Sequence, residues 1–218
     1  GRMGTTSQAI FVPAGGIDTD EGHKTYDEVC ADLGKAISRF LSKPEVAFAV
    51  LGALQSEATT ERVAHANSGQ LGTVVLASQT LNNPDFPAAQ VRTPALLACD
   101  AADEAAYMEE RLVPISCSAK GAHTAAGIAL SERIVREHGA LTVGLYSTRQ
   151  EVIDAMTEAT WRGKVALSIN LTSGVFVNQS SAFSDYHGTG GNPAANASYA
   201  DSAFVANRFR VVQRRYHV

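Results

Sequence analysis

Two helix-then-strand units, one following the other in the second half of the chain, restrict its fold more than any other feature. Between residues 123 and 138, Ile128, Ile134 and Val135 share one helical face, Gly139 supplies a stop, and residues 141–146 are apolar and strand-prone. The unit then repeats. Residues 149–161 turn Val152, Ile153, Met156 and Ala159 to one side, Gly163 closes the helix, and residues 165–169 make the next strand. Strands joined through a helix run parallel and need helical cover on their faces, so the expected fold is α/β, a mostly parallel sheet flanked by helices.

The first half carries the same elements in a looser order. The run Ala9-Ile10-Phe11-Val12 is a strand that begins almost at once, with nothing before it to form a layer, and reads as a chain entered midway. Residues 26–41 place Val29, Leu33, Ile37, Phe40 and Leu41 at three- and four-residue steps, an amphipathic helix stopped near Pro44. A shorter helix is expected over residues 57–66 with Ser56 as its N-cap, and Gly69 and Gly72 break the chain before a strand at 73–76. Pro84, Pro87 and Pro94 punctuate a loop-rich stretch, followed by short strands at 95–98 and 113–117. At 218 residues and 45% apolar content, one domain is the expectation.

Charge and cysteine usage remove several function classes. A net charge of −4 offers no basic stripe for a nucleic-acid backbone, and no Lys/Arg cluster marks an acidic membrane surface. No apolar run reaches the roughly 18 residues that span a bilayer, and Gly1 to Gln8 lacks a signal-peptide layout, so a cytoplasmic location is expected. The three cysteines, Cys30, Cys99 and Cys117, are odd in number, far apart and never in a CxxC spacing. They are expected to be reduced, mostly buried thiols, neither a disulfide framework nor a zinc site. Sequons at Asn170, Asn178 and Asn196 are chance occurrences on this view.

Three stretches resemble the catalytic domain of the aldehyde dehydrogenase superfamily. Tyr107-Met108-Glu109-Glu110-Arg111-Leu112-Val113-Pro114-Ile115 is similar to that family's Glu-Glu-Ile-Phe-Gly-Pro-Val segment. Residues 163–178 are similar to the stretch in which a helix ends, a strand runs in and an Asn closes it. The loop Phe183-Ser184-Asp185-Tyr186-His187-Gly188-Thr189-Gly190-Gly191 stands where the family has a Pro-Phe-Gly-Gly turn. Its wording, with Ser168 to Gly174 before it and residues 204–218 after it, resembles the phenylacetate-degradation (PaaN-type) branch, and the likeness covers nearly the whole chain.

The resemblance implies a role for particular residues. Glu110 would hydrogen-bond the nicotinamide ribose, and Leu112 stands where a Phe usually packs on the nicotinamide ring. The nucleophile signature is Gly-Gln-x-Cys, here Gly1-Arg2-Met3-Gly4, so Gly4 occupies the slot of the cysteine. Without a thiolate no thiohemiacetal can form. Phe183 and Tyr186 are expected to wall a substrate loop in which His187 meets a polar group, against the plainer reading of a surface loop. Asp185 beside His187 lacks a third ligand, so no metal site is expected. Asn178 either places substrate or caps a turn. Gly188-Thr189-Gly190-Gly191 follows a loop and opens no helix, so it is not read as a phosphate loop. Arg208, Arg210, Arg214 and Arg215 form a solvated strand face, or less economically a site for a coenzyme A phosphate.

The sequence is therefore expected to be a catalytic-domain fragment over residues 1–218, with its cofactor-binding domain absent and residues 203–218 as a crossover strand. That strand, alternating apolar and charged over 209–216, must pair with something, and a neighbouring subunit would make the protein a homo-oligomer, a dimer. The parent would oxidise an aldehyde of phenylacetate breakdown, coenzyme A linked in this branch, with NAD or NADP. The fragment alone would be inactive and hold no cofactor. The alternative is a non-enzymatic, degenerate dehydrogenase-like domain serving assembly.

Overall fold

The computed structural model describes residues 7–171, 193 and 214–216. The chain divides into two compact units, Gly1–His123 and Thr124–Val218.

In the first unit, β1 (Ala9–Pro13) leads through a hairpin, β2 (Ile17–Thr19) and β3 (Gly22–Lys24), into α1 (Tyr26–Phe40). Then come α2 (Pro44–Val50), α3 (Glu57–Asn67), β4 (Thr73–Leu76), the pair β5 (Thr80–Leu81) and β6 (Val91–Arg92), β7 (Ala95–Asp100), a 3-10 turn at Glu104–Ala106, and β8 (Ile115–Gly121). The main sheet has the order β1-β8-β7-β4. Both neighbours of β8 run parallel to it, and β4 is antiparallel to β7 with a register shift between Val74 and Leu76. The pairing of β1 with β8 begins at Ala9↔Cys117. It joins the first strand of the chain to one a hundred residues later.

Local chemistry explains these elements. A capping box starts α1: the Glu28 backbone N–H donates to the Thr25 hydroxyl at 3.3 Å, and Glu28 Oε2 accepts from the Thr25 N–H at 2.7 Å. Its apolar face buries Tyr26 and Cys30 with Val12, and Ile10, Val29, Val75 and Ala98 pack around them. Pro44 does more than stop α1. It opens α2, where a first-turn proline loses no helical bond. Ser56 caps α3 as expected, accepting from the Thr59 N–H at 3.3 Å.

The second unit is the repeated pattern: α4 (Thr124–Glu137), β9 (Thr142–Leu145), α5 (Gln150–Gly163), β10 (Ala166–Ile169) and β11 (Arg214–Tyr216), with an all-parallel sheet ordered β11-β10-β9. The four residues expected inside α5, namely Val152, Ile153, Met156 and Ala159, are buried and form one core with Leu145, Leu167 and Ile169. Gly139, at φ +89°, ends α4 as expected.

The end of α5 differs in detail from the expectation. Lys164, not Gly163, takes the left-handed conformation, at φ +55°. The Val165 N–H donates to Thr160 O at 3.1 Å and the Lys164 N–H to Trp161 O at 3.3 Å, the two bonds of a Schellman motif. Gly163 is helical and small for a different reason: a Cβ there would lie 2.9 Å from Val135 Cγ1. Of the terminal strand expected over 209–216, residues 209–213 lie outside the described residues; the described part, Arg214–Tyr216, has β10 of the same chain as its ladder partner, Leu167↔Arg214 to Ile169↔Tyr216. No helix among the described residues is long and apolar enough to cross a membrane.

Candidate active site

Of the sequence-predicted site residues, Glu110 and Leu112 fall within the described structure. Gly4, Asn178, Phe183, Tyr186 and His187, with Asp185, Arg208 and Arg210, lie outside the described residues.

The segment that carries Glu110 is held at both ends by buried side chains. At its start Tyr107 and Met108 are buried; the Tyr107 hydroxyl donates to Ala101 O, and its ring meets Phe11 of β1 edge-on at 5.4 Å between centroids. At its end Val113 is buried and leads into β8. Between these anchors Glu109, Glu110 and Leu112 are exposed. Leu112 is 60% exposed at φ +38°, an uncommon conformation for a residue other than glycine.

The middle of the segment is tied to the start of β1. Gln8 Oε1 accepts the backbone N–H of Arg111 at 3.1 Å, while the Gln8 carbonyl accepts from Cys117 N at 2.7 Å. Beside it the Ser116 hydroxyl donates to Ser7 O at 2.6 Å. Gln8 therefore meets the segment of Glu110 and Leu112 through a hydrogen bond. Arg111 Nη2 donates to Ala105 O at 2.6 Å. Glu110 makes no hydrogen bond among the described residues and is open to an external donor.

The cysteines can be judged as substitute nucleophiles. All three are buried and free. Burial pushes the Cys99 thiol up to about 12 and also raises Cys117, on which nearby Arg111 has a smaller opposing effect. Cys117 donates to Ala106 O at 3.3 Å, and Cys30 to the Ser118 hydroxyl at 3.2 Å. Enclosed thiols are poor nucleophiles. The expectation of buried, reduced cysteines is met, and none of them stands in for a thiolate at position 4. Among the described residues no group of three or more His, Cys, Asp or Glu side chains could hold a metal ion.

Gln8 and Arg111 were not singled out by sequence. Their bond joins residues 103 apart, and neither spacing nor periodicity carries such a pair.

No family model matches the chain, and no curated protein does. Among solved structures the chain is similar over its whole length to an NAD-dependent aldehyde dehydrogenase from Burkholderia multivorans, with 51% identity and a TM-score of 0.85. The match covers 100% of this chain and 39% of that one, so the chain spans about two fifths of that enzyme's length. The α/β fold described above is thus that of an aldehyde dehydrogenase catalytic domain, and the similarity supports that superfamily.

Proposed function

We propose that the chain is the catalytic-domain part of an NAD- or NADP-dependent aldehyde dehydrogenase of the phenylacetate-degradation type, and that with Gly4 in the nucleophile slot it does not itself oxidise aldehydes. The observation that carries the dehydrogenase part of the proposal is the 51% identity to an NAD-dependent aldehyde dehydrogenase in a match covering the whole chain, and the phenylacetate branch rests on the resemblance of residues 168–174, 183–191 and 204–218. The Gln8–Arg111 bond adds geometric support, because it joins the stretch following position 4 to the segment bearing Glu110 and Leu112.

In this proposal the residues divide the work. Glu110 accepts hydrogen bonds from the ribose hydroxyls and Leu112 lies against the nicotinamide. Phe183, Tyr186, His187 and Asn178 line and orient a small aldehyde, coenzyme A linked in this branch. The chemistry needs a thiolate at position 4 to add to the carbonyl carbon, an acceptor to take the former aldehyde hydrogen as hydride so that the adduct becomes a thioester, and a water to hydrolyse that thioester to the acid and release the thiolate. A bound nicotinamide would supply the hydride acceptor. The protein would act in the cytoplasm as a homo-oligomer, with residues 203–218 contributing to assembly.

The test uses the product of the full reading frame that contains this chain, with Gly4→Cys, supplied with a panel of aldehydes and either NAD or NADP. Reduced nicotinamide should accumulate with an aromatic-pathway aldehyde and should be lost when residue 4 is glycine. A folded, cofactor-binding product that turns over no aldehyde would refute the enzymatic proposal. It would favour a non-enzymatic domain serving assembly, for which Gly4 and three enclosed thiols are the specific observations.

A further inference from the structure

We infer that Gln8 is a positioning residue for cofactor binding: its side-chain amide sets the plane of the Glu110–Arg111 peptide and so the direction in which Glu110 is presented. The inference rests on the proposed ribose-binding role of Glu110. Gln8 itself is fixed by the sheet. Its carbonyl accepts from Cys117 N at 2.7 Å, and the ladder from Ala9↔Cys117 to Pro13↔Gly121 follows at once. From that base Oε1 accepts the Arg111 N–H at 3.1 Å. This N–H and the Glu110 carbonyl belong to one planar peptide unit, so holding it fixes ψ of Glu110 and φ of Arg111 together.

Other contacts in the segment constrain its neighbours but not that peptide. Arg111 Nη2 donates to Ala105 O at 2.6 Å, and Arg62 Nη1 reaches the Arg111 carbonyl, which belongs to the next peptide plane, at 3.5 Å, the limit of a hydrogen bond. Leu112 adopts φ +38° while 60% exposed, so burial of its own side chain does not hold it in that conformation. An unusual backbone persists only where its surroundings determine it. With no bond of its own among the described residues, the Glu110 side chain departs along a Cα–Cβ direction set by the backbone, and Gln8 holds that backbone at the Arg111 N–H.

Two substitutions separate positioning from simple tethering. Gln8→Met removes the acceptor at similar side-chain length, and Gln8→Glu keeps an acceptor oxygen. In this chain, amide exchange at Arg111 should quicken about fivefold in Gln8→Met, the factor expected for one lost hydrogen bond. In the product of the full reading frame, with residue 4 left as glycine, the dissociation constant for NAD should rise by a similar factor of about five in Gln8→Met and be rescued by Gln8→Glu. Equal NAD affinity in Gln8→Met and the unsubstituted protein would overturn the inference and leave the dehydrogenase proposal standing. Equal weakening in both variants, accompanied by a lowered Tm, would overturn it in favour of a tether. Failure of the unsubstituted product to bind NAD would remove the cofactor role itself, and it is recognised before any change at Gln8.

Discussion

Gly163→Ala should destabilise the second unit even though alanine is the better helix former. The added Cβ would sit 2.9 Å from Val135 Cγ1 and 3.4 Å from Val135 Cβ, where unstrained carbon contacts lie at about 3.5–4.0 Å. Val135 is 3% exposed and β-branched within α4, so it has almost no alternative rotamer with which to retreat. The relief must come from a shift of α4 against α5, and overpacking of this kind costs about 1–3 kcal/mol. Removing a glycine from a helix interior returns at most about 1 kcal/mol, and less at the last helical residue. The net expectation is a loss of about 1–2 kcal/mol, a fall in urea midpoint of about 0.5–1 M at an m-value near 2 kcal/mol/M. Trp161, the single tryptophan, lies in the same helical turn and reports the transition by fluorescence. A second variant isolates the cause. Val135→Ala alone leaves a cavity, but combined with Gly163→Ala it should lose less than the sum of the single losses, because the new methyl occupies the vacated space. Strict additivity, or a gain in stability from Gly163→Ala alone, would refute the packing account.

The ion pair joining α4 to α5 should make stability fall in acid. Arg162 holds the Glu132 carboxylate with two hydrogen bonds, at 2.9 and 2.8 Å, and lowers its pKa below the usual 4.5. A carboxyl depressed on folding adds stability that is present above its unfolded value and lost as pH falls through the folded one. Glu132→Gln should therefore flatten the urea midpoint against pH between about 5 and 3, and an unchanged acid slope would count against the pair. The thiols allow a simpler check: a thiol-reactive chromophore should label none of Cys30, Cys99 and Cys117 quickly in the native chain and all three in urea. One fast native thiol would reopen the question of a substitute nucleophile.

Periodicity made the second unit legible. The inward set of α5 and the strand that follows it came directly from a 3.6-residue repeat ending in a short apolar run, since burial of one helical face leaves that trace in any sequence. Ser56 and Gly139 were legible for a related reason, because capping and left-handed geometry each admit few residue types. Strands of two or three residues leave no such trace. The hairpin of Ile17–Thr19 with Gly22–Lys24 is mostly exposed, and the pairing of Thr80–Leu81 with Val91–Arg92 spans a proline-marked loop. Gly163 ends the helix, as its residue type suggests, but the cause is tertiary. Val135 lies against it, and Lys164 takes the left-handed position with its ammonium 4.5 Å from the Trp161 ring centroid.

The loss of the nucleophile proposed for position 4 is compatible with the described contacts of β1. What holds β1 in the sheet is its parallel ladder to β8, the packing of Ile10 and Val12 beneath α1, and the contact of Phe11 with Tyr107. None of these contacts involves position 4, which lies outside the described residues. The tie from Gln8 to Arg111 is likewise a side chain–backbone bond that begins four residues later. Replacing a cysteine by glycine at position 4 would then remove the nucleophile and leave the presentation of Glu110 intact. Cofactor binding and aldehyde turnover should consequently separate: a product of the full reading frame with glycine at position 4 should bind NAD as tightly as its Gly4→Cys counterpart and differ from it in turnover alone. A large difference in NAD affinity between the two would mean that position 4 acts on the cofactor surface as well as on the substrate, and the division of labour assigned here between Gln8 and the nucleophile slot would fail.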